Sequence, residues 1–260
     1  MKKYLDFAIL MAKKAGRIMK KYFKQDNGAS YKYDNTIVTL ADKEINNLLI
    51  KLVKKNFPDH SVDGEEEKFG QSENVWICDP IDGTAMYARH VPVAVFSLAF
   101  VKNGEPLVGV VYDPWTNSMY TAIKDEGAYL NGKSIHVSDL GLGDKRLVGH
   151  YDMWAKSEYD VNPVVTELQN HAYVVSIGSV IRASMCVATG EFGFVIFPGT
   201  IGKNCDIAAA KIIVEEAGGK VTDLFGNDQR YDTSIKGALL TNGVVHNYIL
   251  KEMESVLKNK

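Results

Sequence analysis

Two carboxylates lie three residues apart in the stretch ICDPIDGT, residues 77 to 84, directly after an apolar run. A buried carboxylate without a partner is costly to remove from water, so Asp79 and Asp82 either lie in a hydrated turn or share a bound cation. Carboxylate oxygens are the ligands that Mg²⁺ prefers, and two of them can serve metal ions at the roughly 3.5–4 Å separation of two-metal phosphoryl chemistry. The amides of Gly83 and Thr84 can begin a helix, whose N-terminus attracts phosphate. The same residue types also form plain tight turns, so both interpretations stay open for this stretch taken alone.

Three other acidic residues have an ordinary structural explanation when each is taken singly. Glu65 lies in a polar loop, residues 63–70, where a run of charges usually marks solvated surface. Asp42 follows Thr39 by three positions at a helix start, which resembles a capping box with Asp in place of Glu or Gln. Asp206 opens an alanine-rich helix, and the helix dipole favours an acid in the first turn.

Secondary structure must position these side chains. Apolar spacing predicts helices at 3–24, 40–57, 180–189, 206–217 and 244–258. Strand-like runs fall at 75–78, 95–101, 107–112, 118–123, 173–177, 194–197 and 238–241. Two Asn-Gly pairs, at 103–104 and 131–132, are typical of antiparallel hairpins.

The order of these elements predicts two halves. Residues 1–145 should form an α+β half with an antiparallel sheet and most of the acidic residues. Residues 146–260 should form an α/β half, because strands alternate there with helices. The stretch SDLGLGDKR, residues 138–146, is the expected boundary.

Composition excludes several classes of partner. The chain has 260 residues and a formal net charge of −2, so no basic excess favours nucleic acid or an anionic membrane. No apolar run is long enough to span a bilayer, and the first apolar run, residues 7–12, is too short for an export signal. The three cysteines have neither zinc-ligand nor redox spacing, which favours buried thiols in a reducing compartment. These observations predict a cytoplasmic protein with no membrane or nucleic-acid partner.

Together the acidic motifs resemble the inositol monophosphatase superfamily of metal-dependent, lithium-sensitive sugar phosphatases. The resemblance rests on five blocks in order, from about residue 5 to 255: IVTLAD (37–42), GEE (64–66), DPIDGT (79–84), EGAYLNGKSI (126–135) and NCDIAAAKIIVEEAGG (204–219). It implies a mixed α/β fold, a layered α/β/α/β/α sandwich of the sugar phosphatase type. It also implies a homodimer and a small phosphorylated substrate.

The resemblance implies a role for each matching residue. The implied ligands of two to three Mg²⁺ ions are Glu65, Asp79, the Ile81 carbonyl, Asp82 and Asp206. The implied catalytic residues are Glu65, Thr84 and Asp42, with Thr84 hydrogen-bonded to Asp42 and positioning the attacking water. Implied phosphate or substrate contacts are Asp82, Gly83, Thr84, Gly178, Ser179 and Asp206.

The substrate side of the pattern is incomplete. Inositol-cleaving members carry a glutamate seven residues before the last aspartate, where this chain has Gly199, and Cys205 replaces the usual tryptophan. Lys32, which lies near the place of the family's N-terminal basic residue, is a candidate substrate contact. So are the extra positive charges at Arg182 and Lys203. The expected activity is therefore Mg²⁺-dependent hydrolysis of a small phosphorylated polyol or sugar of the inositol 1-phosphate type. Fructose 1,6-bisphosphate, histidinol phosphate and 3′-phosphoadenosine 5′-phosphate are alternative substrates, and a non-catalytic regulatory or scaffold protein is the alternative of another class.

Overall fold

The computed structural model describes residues 1–25, 27–32, 36–152, 157, 159–199 and 203–257. Seven α-helices lie in this part of the chain: α1 (Lys2–Phe23), α2 (Leu40–Asn56), α3 (Thr84–Ala88), α4 (Asn162–Leu168), α5 (Val180–Ala188), α6 (Ala208–Glu216) and α7 (His246–Leu257). A short 3₁₀ helix, Asn204–Asp206, leads into α6.

Fifteen strands accompany these helices in the described ranges. Those of the first half are β1 (Ser30–Tyr31), β2 (Ile37–Val38), β3 (Ser61–Gly64), β4 (Lys68–Phe69), β5 (Asn74–Asp82), β6 (Val95–Lys102), β7 (Glu105–Asp113), β8 (Ser118–Ile123), β9 (Ala128–Leu130) and β10 (Lys133–Ser134). Those of the second half are β11 (Val148–Tyr151), β12 (Tyr173–Val175), β13 (Phe194–Phe197), β14 (Lys220–Thr222) and β15 (Ala238–Thr241).

Two main sheets contain all but the β1–β2 hairpin. The eight-stranded sheet has the order β10-β9-β8-β7-β6-β5-β3-β4 and is antiparallel except where β3 runs parallel to β5. The five-stranded sheet has the order β12-β11-β13-β15-β14, and β11 lies parallel to both β12 and β13. Consecutive strands joined by tight turns explain the first pattern, and helical crossovers explain the second.

Three buried apolar clusters separate five layers. One cluster, which includes Met11, lies between α1, α2 and one face of the eight-stranded sheet. A second, which includes Val187, joins the other face of that sheet through α5 and α6 to the five-stranded sheet. The third, which includes Ile249, lies between the five-stranded sheet and α4 with α7. The layers therefore run α/β/α/β/α, which confirms the predicted fold class.

The five predicted helices and seven predicted strands are confirmed, with ends shifted by a few residues. Residue 258, the predicted end of the last helix, lies outside the described residues. Asn103 and Asn131 adopt positive φ before their glycines, as the predicted hairpin turns require. The largest shift is in β5, which continues past the predicted end at residue 78 to Asp82. The division into halves at residue 145 stays a prediction, because the second apolar cluster is common to both sheets.

Candidate active site

A β-bulge brings Asp79 and Asp82 to the same face of β5. Residues three apart on a regular strand point to opposite faces. Here Asp79 pairs with Ser97 and Asp82 pairs with Val95, so two residues of β5 lie opposite one residue of β6. Since Ser97 and Val95 are two apart on β6, both carboxylates face the layer that holds α5 and α6. They are only 2% and 8% exposed.

Gly83 turns the chain out of β5 and towards the second half. Its φ is +88°, and a Cβ there would lie 2.9 Å from the Gly178 carbonyl oxygen. Only glycine permits both this backbone conformation and this approach. The carbonyl of Gly83 then accepts hydrogen bonds from the amides of Met86 and Tyr87 in α3. Gly178, a predicted substrate contact, is thus placed directly against the acidic motif.

Asp82 is fixed by the start of α5. One of its oxygens, Oδ2, accepts a hydrogen bond from the Ile181 amide at 2.8 Å and a short one from the Ser179 hydroxyl. The Ser179 oxygen also accepts from the Arg182 amide at 3.1 Å and so caps the helix. The structure therefore brings Ser179 to Asp82, although the two residues are far apart in the sequence.

Thr84 and Asp42 do not form the expected hydrogen bond. The Thr84 hydroxyl donates to the Ile81 carbonyl at 2.7 Å. Asp42 is fully buried, and its Oδ2 accepts from the amide of Thr39 at 2.8 Å and from its hydroxyl at 2.5 Å. The capping box at the start of α2 is thus formed, and it accounts for the different partner. The other oxygen of Asp42 has no hydrogen-bond partner among the described residues.

Asp206 comes from the second half and is placed by the close packing of α6 on β7. A Cβ on Gly109 of β7 would lie 2.8 Å from the Ala209 carbonyl oxygen, so the absence of a side chain there lets α6 approach the sheet. Asn204 anchors the preceding turn by donating to Asp63 at 3.1 Å and to the Tyr231 carbonyl at 2.8 Å. Asp206 is consequently 9% exposed and lies close enough to Asp82 to repel its charge.

Two lysines surround Glu65. Lys203 Nζ lies 2.6 Å from Glu65 Oε1, and Lys32 Nζ lies 3.2 Å from the same oxygen. Lys32 also pairs with Glu66 at 2.6 Å. Both candidate lysines therefore belong to the acidic centre, and Lys203 brings a positive charge from the second half to a carboxylate of the first.

Burial and mutual repulsion set the charge of the cluster. Burial raises the pKa of Asp82 to about 8, and the neighbouring Asp206 adds to the effect. Burial also raises the pKa of Asp206 to about 6, and burial followed by the charge of Glu65 raises that of Asp79 well above its usual range. Glu65 differs because Lys203 and Lys32 overcome its burial and hold its pKa below the usual value. Two ammonium groups thus face four carboxyl groups, so full ionisation of the cluster would need additional cations.

The donor set fits Mg²⁺. No three acidic, histidine or cysteine side chains among the described residues close around a single point as a complete cage would. Mg²⁺ usually keeps several waters and takes only one or two carboxylates, so neighbouring carboxylates suffice for it. Asp79, Asp82, Asp206 and Glu65, with the Ile81 carbonyl, are the residues that would hold it.

The third cation among the candidate substrate contacts, Arg182, pairs with residues of the eight-stranded sheet. Its Nη1 donates to the Tyr120 hydroxyl at 2.9 Å, and its Nε lies 3.6 Å from Asp113 Oδ2. These partners belong to β8 and β7. The structure therefore directs this guanidinium to the eight-stranded sheet, in contrast to Lys32 and Lys203.

A groove of about 710 Å³ lies elsewhere, between the β6–β7 turn and α6. None of the four carboxylates lines it. Lys211 in its wall lies 2.6 Å from Glu215 and 3.1 Å from Asp228, so its charge is already compensated. This groove is therefore a polar seam that lies apart from the four carboxylates.

Comparison with known proteins accounts for this arrangement. The sequence pattern of the inositol monophosphatase family matches residues 1–258. The chain belongs to this family. It is 31% identical over 257 residues to the fructose-1,6-bisphosphatase/inositol-1-monophosphatase of Thermotoga maritima, covering 98% of this chain and 97% of that protein.

Solved structures agree with the assignment. The IMPase of Thermotoga maritima has a TM-score of 0.88 at 29% identity and covers 99% of each chain. An IMPase/NADP phosphatase complexed with Mg²⁺ and phosphate has a TM-score of 0.82 at 26% identity, over 96% of this chain and 94% of that one.

Family membership confirms that the protein is an enzyme, a phosphoric monoester hydrolase. Members of the inositol monophosphatase family are metal-dependent and act on small phosphorylated substrates. No helix in the described part of the chain has the length and apolar character needed to cross a membrane.

At Gly199, a side chain has no room at the position where inositol-cleaving family members carry a substrate-binding glutamate. Gly199 has a φ of +86°, and a Cβ on it would lie 2.5 Å from the Gly237 amide nitrogen. The backbone of the segment before β15 therefore fills the space where a side chain would stand. The missing side chain at Gly199 therefore leaves no open space at this position for a larger substrate.

Sequence reasoning missed Asp152, which directly follows β11. It is one of the carboxylates that raise the pKa values of Asp82 and Asp206, although burial is the larger cause in both. The apolar pattern of β11 is too weak to predict a strand, because Gly149 and His150 interrupt it. If β11 had been predicted, the acid directly after it, Asp152, would have indicated a candidate site residue.

Proposed function

We propose that this enzyme hydrolyses the phosphate monoester of a small polyol or sugar, of the inositol 1-phosphate type, with two to three Mg²⁺ ions held by its carboxylate cluster. The proposal rests on one observation. A cluster of buried carboxyl groups, whose ionisation needs cations, lies beside the hydrogen bond between Asp82 and Ser179. Acidic side chains from both halves lie next to Gly178 and Ser179, which are proposed as phosphate or substrate contacts.

Mg²⁺, when bound, would act as a Lewis acid and lower the pKa of a water molecule. The protein then needs to contribute mostly position and charge. No histidine base is required.

Each residue has a task in this scheme. Thr84 donates its proton to the Ile81 carbonyl, so the lone pairs of its hydroxyl remain to orient a water molecule. The amides of Gly83 and Thr84 would bind phosphate oxygens. Asp42 would accept a hydrogen bond from a group of the site through Oδ1, its oxygen without a partner among the described residues.

The second candidate is the same reaction on fructose 1,6-bisphosphate. Two positive side chains, Lys32 and Lys203, lie at the cluster, and a cation bound by Glu65 would leave them available to attract an additional anion. The Thermotoga maritima relative carries both activities in its name. Histidinol phosphate and 3′-phosphoadenosine 5′-phosphate are further alternatives with the same chemistry.

A substrate panel tests the proposal. Phosphate release is measured from inositol 1-phosphate, fructose 1,6-bisphosphate, histidinol phosphate, 3′-phosphoadenosine 5′-phosphate and glycerol 2-phosphate, with Mg²⁺, with EDTA and with added Li⁺. We expect release that EDTA abolishes and Li⁺ inhibits, with inositol 1-phosphate preferred. Release that survives EDTA would contradict the metal dependence, and a preference for the bisphosphate would select the second candidate.

The molecular setting is part of the proposal. We expect a homodimer, which sedimentation would show as twice the 28.8 kDa mass of the chain. A cytoplasmic location fits the three free cysteines, Cys78, Cys186 and Cys205. Fractionation of the source cells would test that location.

A further inference from the structure

Three parallel strands of the second sheet end at the same edge. β12, β11 and β13 are neighbours, and their carboxyl ends lead to Ser179, Asp152 and Gly199 respectively. Ligands of sheets with parallel strands bind outside the carboxyl ends of those strands. Of the three residues, Asp152 alone brings a charge to this edge.

The register fixes the direction of the Asp152 side chain. Its amide donates to the Ile196 carbonyl at 3.0 Å, so it continues the pairing of β11 with β13. Alternation along a strand places it on the same face as His150, whose partner Val195 packs in the apolar cluster around α5 and α6. Asp82 faces that same layer from the opposite sheet.

The Asp152 carboxylate is close to the reaction centre but takes no part in its bonding. Its charge reaches Asp82 and Asp206. No hydrogen-bond donor or cation among the described residues pairs with its side chain, whereas Glu65 has two lysines and Asp82 has Ser179 and Ile181. Its exposure is intermediate, so a ligand can reach it. An ionised carboxylate is an acceptor only, and it binds hydroxyl groups strongly while repelling anions.

We propose that Asp152 is a specificity residue that accepts hydrogen bonds from hydroxyl groups on the alcohol portion of the substrate. It favours phosphate esters of neutral polyols over esters that lack hydroxyls or carry a second anionic group at this position. The inference rests on the proposed function and names the chemistry that selects its substrate.

The test compares two esters in one enzyme. Inositol 1-phosphate offers hydroxyls to Asp152, and p-nitrophenyl phosphate offers none. Wild type, Asp152→Asn and a matched control, Asp139→Asn, are assayed with both esters in saturating Mg²⁺. Asp139 is an exposed acid of the boundary stretch 138–146, and no described residue of the site shares a hydrogen bond with its side chain. Calorimetric titration with Mg²⁺ alone gives the metal affinity of each protein.

The loss of a hydrogen bond to a charged acceptor should lower the ratio of kcat/KM on inositol 1-phosphate to kcat/KM on p-nitrophenyl phosphate by about 10- to 100-fold in Asp152→Asn. Most of the change should fall on KM for inositol 1-phosphate. The control should keep the wild-type ratio, and Mg²⁺ affinity should agree within about twofold among the three proteins.

Three results would overturn the inference or its basis in distinguishable ways. An unchanged ratio in Asp152→Asn would show that the carboxylate does not contact the alcohol. A fall in Mg²⁺ affinity would make Asp152 a metal ligand instead. Failure of wild type on both esters would refute the proposed function itself. A folding defect lowers both rates alike, so it leaves the ratio intact.

Discussion

Asp82 links the end of β5 to the start of α5 through hydrogen bonds. It ends a strand of the first sheet, yet its hydrogen-bond donors, Ser179 and Ile181, belong to the second half. Its burial and the nearby Asp206 make its negative charge costly in the absence of a cation. Asp82 therefore combines the docking of α5 with the proposed binding of metal.

Replacement of Asp82 by Asn should abolish turnover while the fold is kept. The amide preserves the shape of the side chain but lacks the charge that attracts Mg²⁺, so kcat/KM should fall by more than about 100-fold. Steady-state assays with inositol 1-phosphate measure the loss, and circular dichroism checks the fold. Wild-type rates in this variant would refute the assigned site, whereas Asp139→Asn should stay fully active.

Gly199 offers a second test at the scale of one residue. Gly199→Ala should destabilise the protein, because a Cβ would lie 2.5 Å from the Gly237 nitrogen and φ is +86°. Gly143→Ala is the matched control, since Gly143 has a φ of +88° with nothing within 4 Å of its Cβ position. Both variants should lose about 1–2 kcal/mol from the left-handed backbone.

Only Gly199→Ala should lose about 1–3 kcal/mol more from the steric contact. Urea unfolding measures the difference between the two variants. Equal destabilisation would mean that the segment around Gly237 moves aside, and the pocket would then be open at this position.

At the scale of elements, α2 begins with a capping box that also holds Asp42, a proposed residue of the site. Thr39 binds Asp42 through both its amide and its hydroxyl. Burial raises the pKa of Asp42 to about 7, although the bonds from Thr39 oppose the shift. The start of this helix therefore fixes the Asp42 carboxyl group near enough to Glu65 to feel its charge.

Thr39→Ala should reduce the free energy of unfolding by about 1 kcal/mol, because the cap at the start of α2 is lost. Thermal unfolding followed by circular dichroism measures the effect. Thr39→Ser keeps the hydroxyl and should recover most of the stability. If the two variants were equally destabilised, the methyl group of Thr39, and not its hydrogen bond, would carry the contribution.

The start of α7 contains a buried titratable group, His246. It is fully buried between the hydroxyls of Thr241 at 2.9 Å and Thr222 at 3.2 Å, and burial lowers its pKa to about 4. Between this pKa and the ordinary value of about 6.5, the unfolded chain binds a proton that the folded protein does not. The stability contributed by neutral His246 is therefore present above the unfolded pKa and lost as the pH falls towards 4.

His246→Gln removes the titration but keeps a donor and an acceptor for the two threonines. The stability advantage of wild type over this variant should shrink by about 2–3 kcal/mol between pH 7.5 and pH 4.5. Urea unfolding at both pH values in saturating Mg²⁺ measures the change, and the comparison cancels the titration of all other groups. A constant difference would mean that folding does not lower the pKa of His246.

At the scale of the whole molecule, the five layers place a reaction centre between two sheets. Asp79 and Asp82 reach it from the bulged end of β5, and Asp206 reaches it from the turn before α6. Neither half contains the cluster alone. A cation bound there should therefore stabilise the contact between the halves as well as support chemistry.

Much of this architecture can be predicted from the sequence, because strong apolar periodicity and Asn-Gly turns determine most elements locally. The extension of β5 to Asp82 cannot, since Pro80 and the two aspartates are poor strand formers and a bulge leaves no local signal. Thr84 donates to the Ile81 carbonyl and not to Asp42, because Asp42 is already bonded to Thr39 in the capping box of α2. Asp152 escapes prediction because its place depends on the order of strands in a sheet, which is a long-range property.

The most direct test of the account is calorimetric titration of Mg²⁺ into wild type and Asp206→Asn. Asp206 belongs to the second half, so the experiment asks whether the cluster binds metal as one unit. The account predicts two to three ions per chain for wild type and, for Asp206→Asn, the loss of at least one ion or a fall in affinity of about 10-fold or more. Equal binding by the two proteins, or no binding by folded wild type, would contradict it.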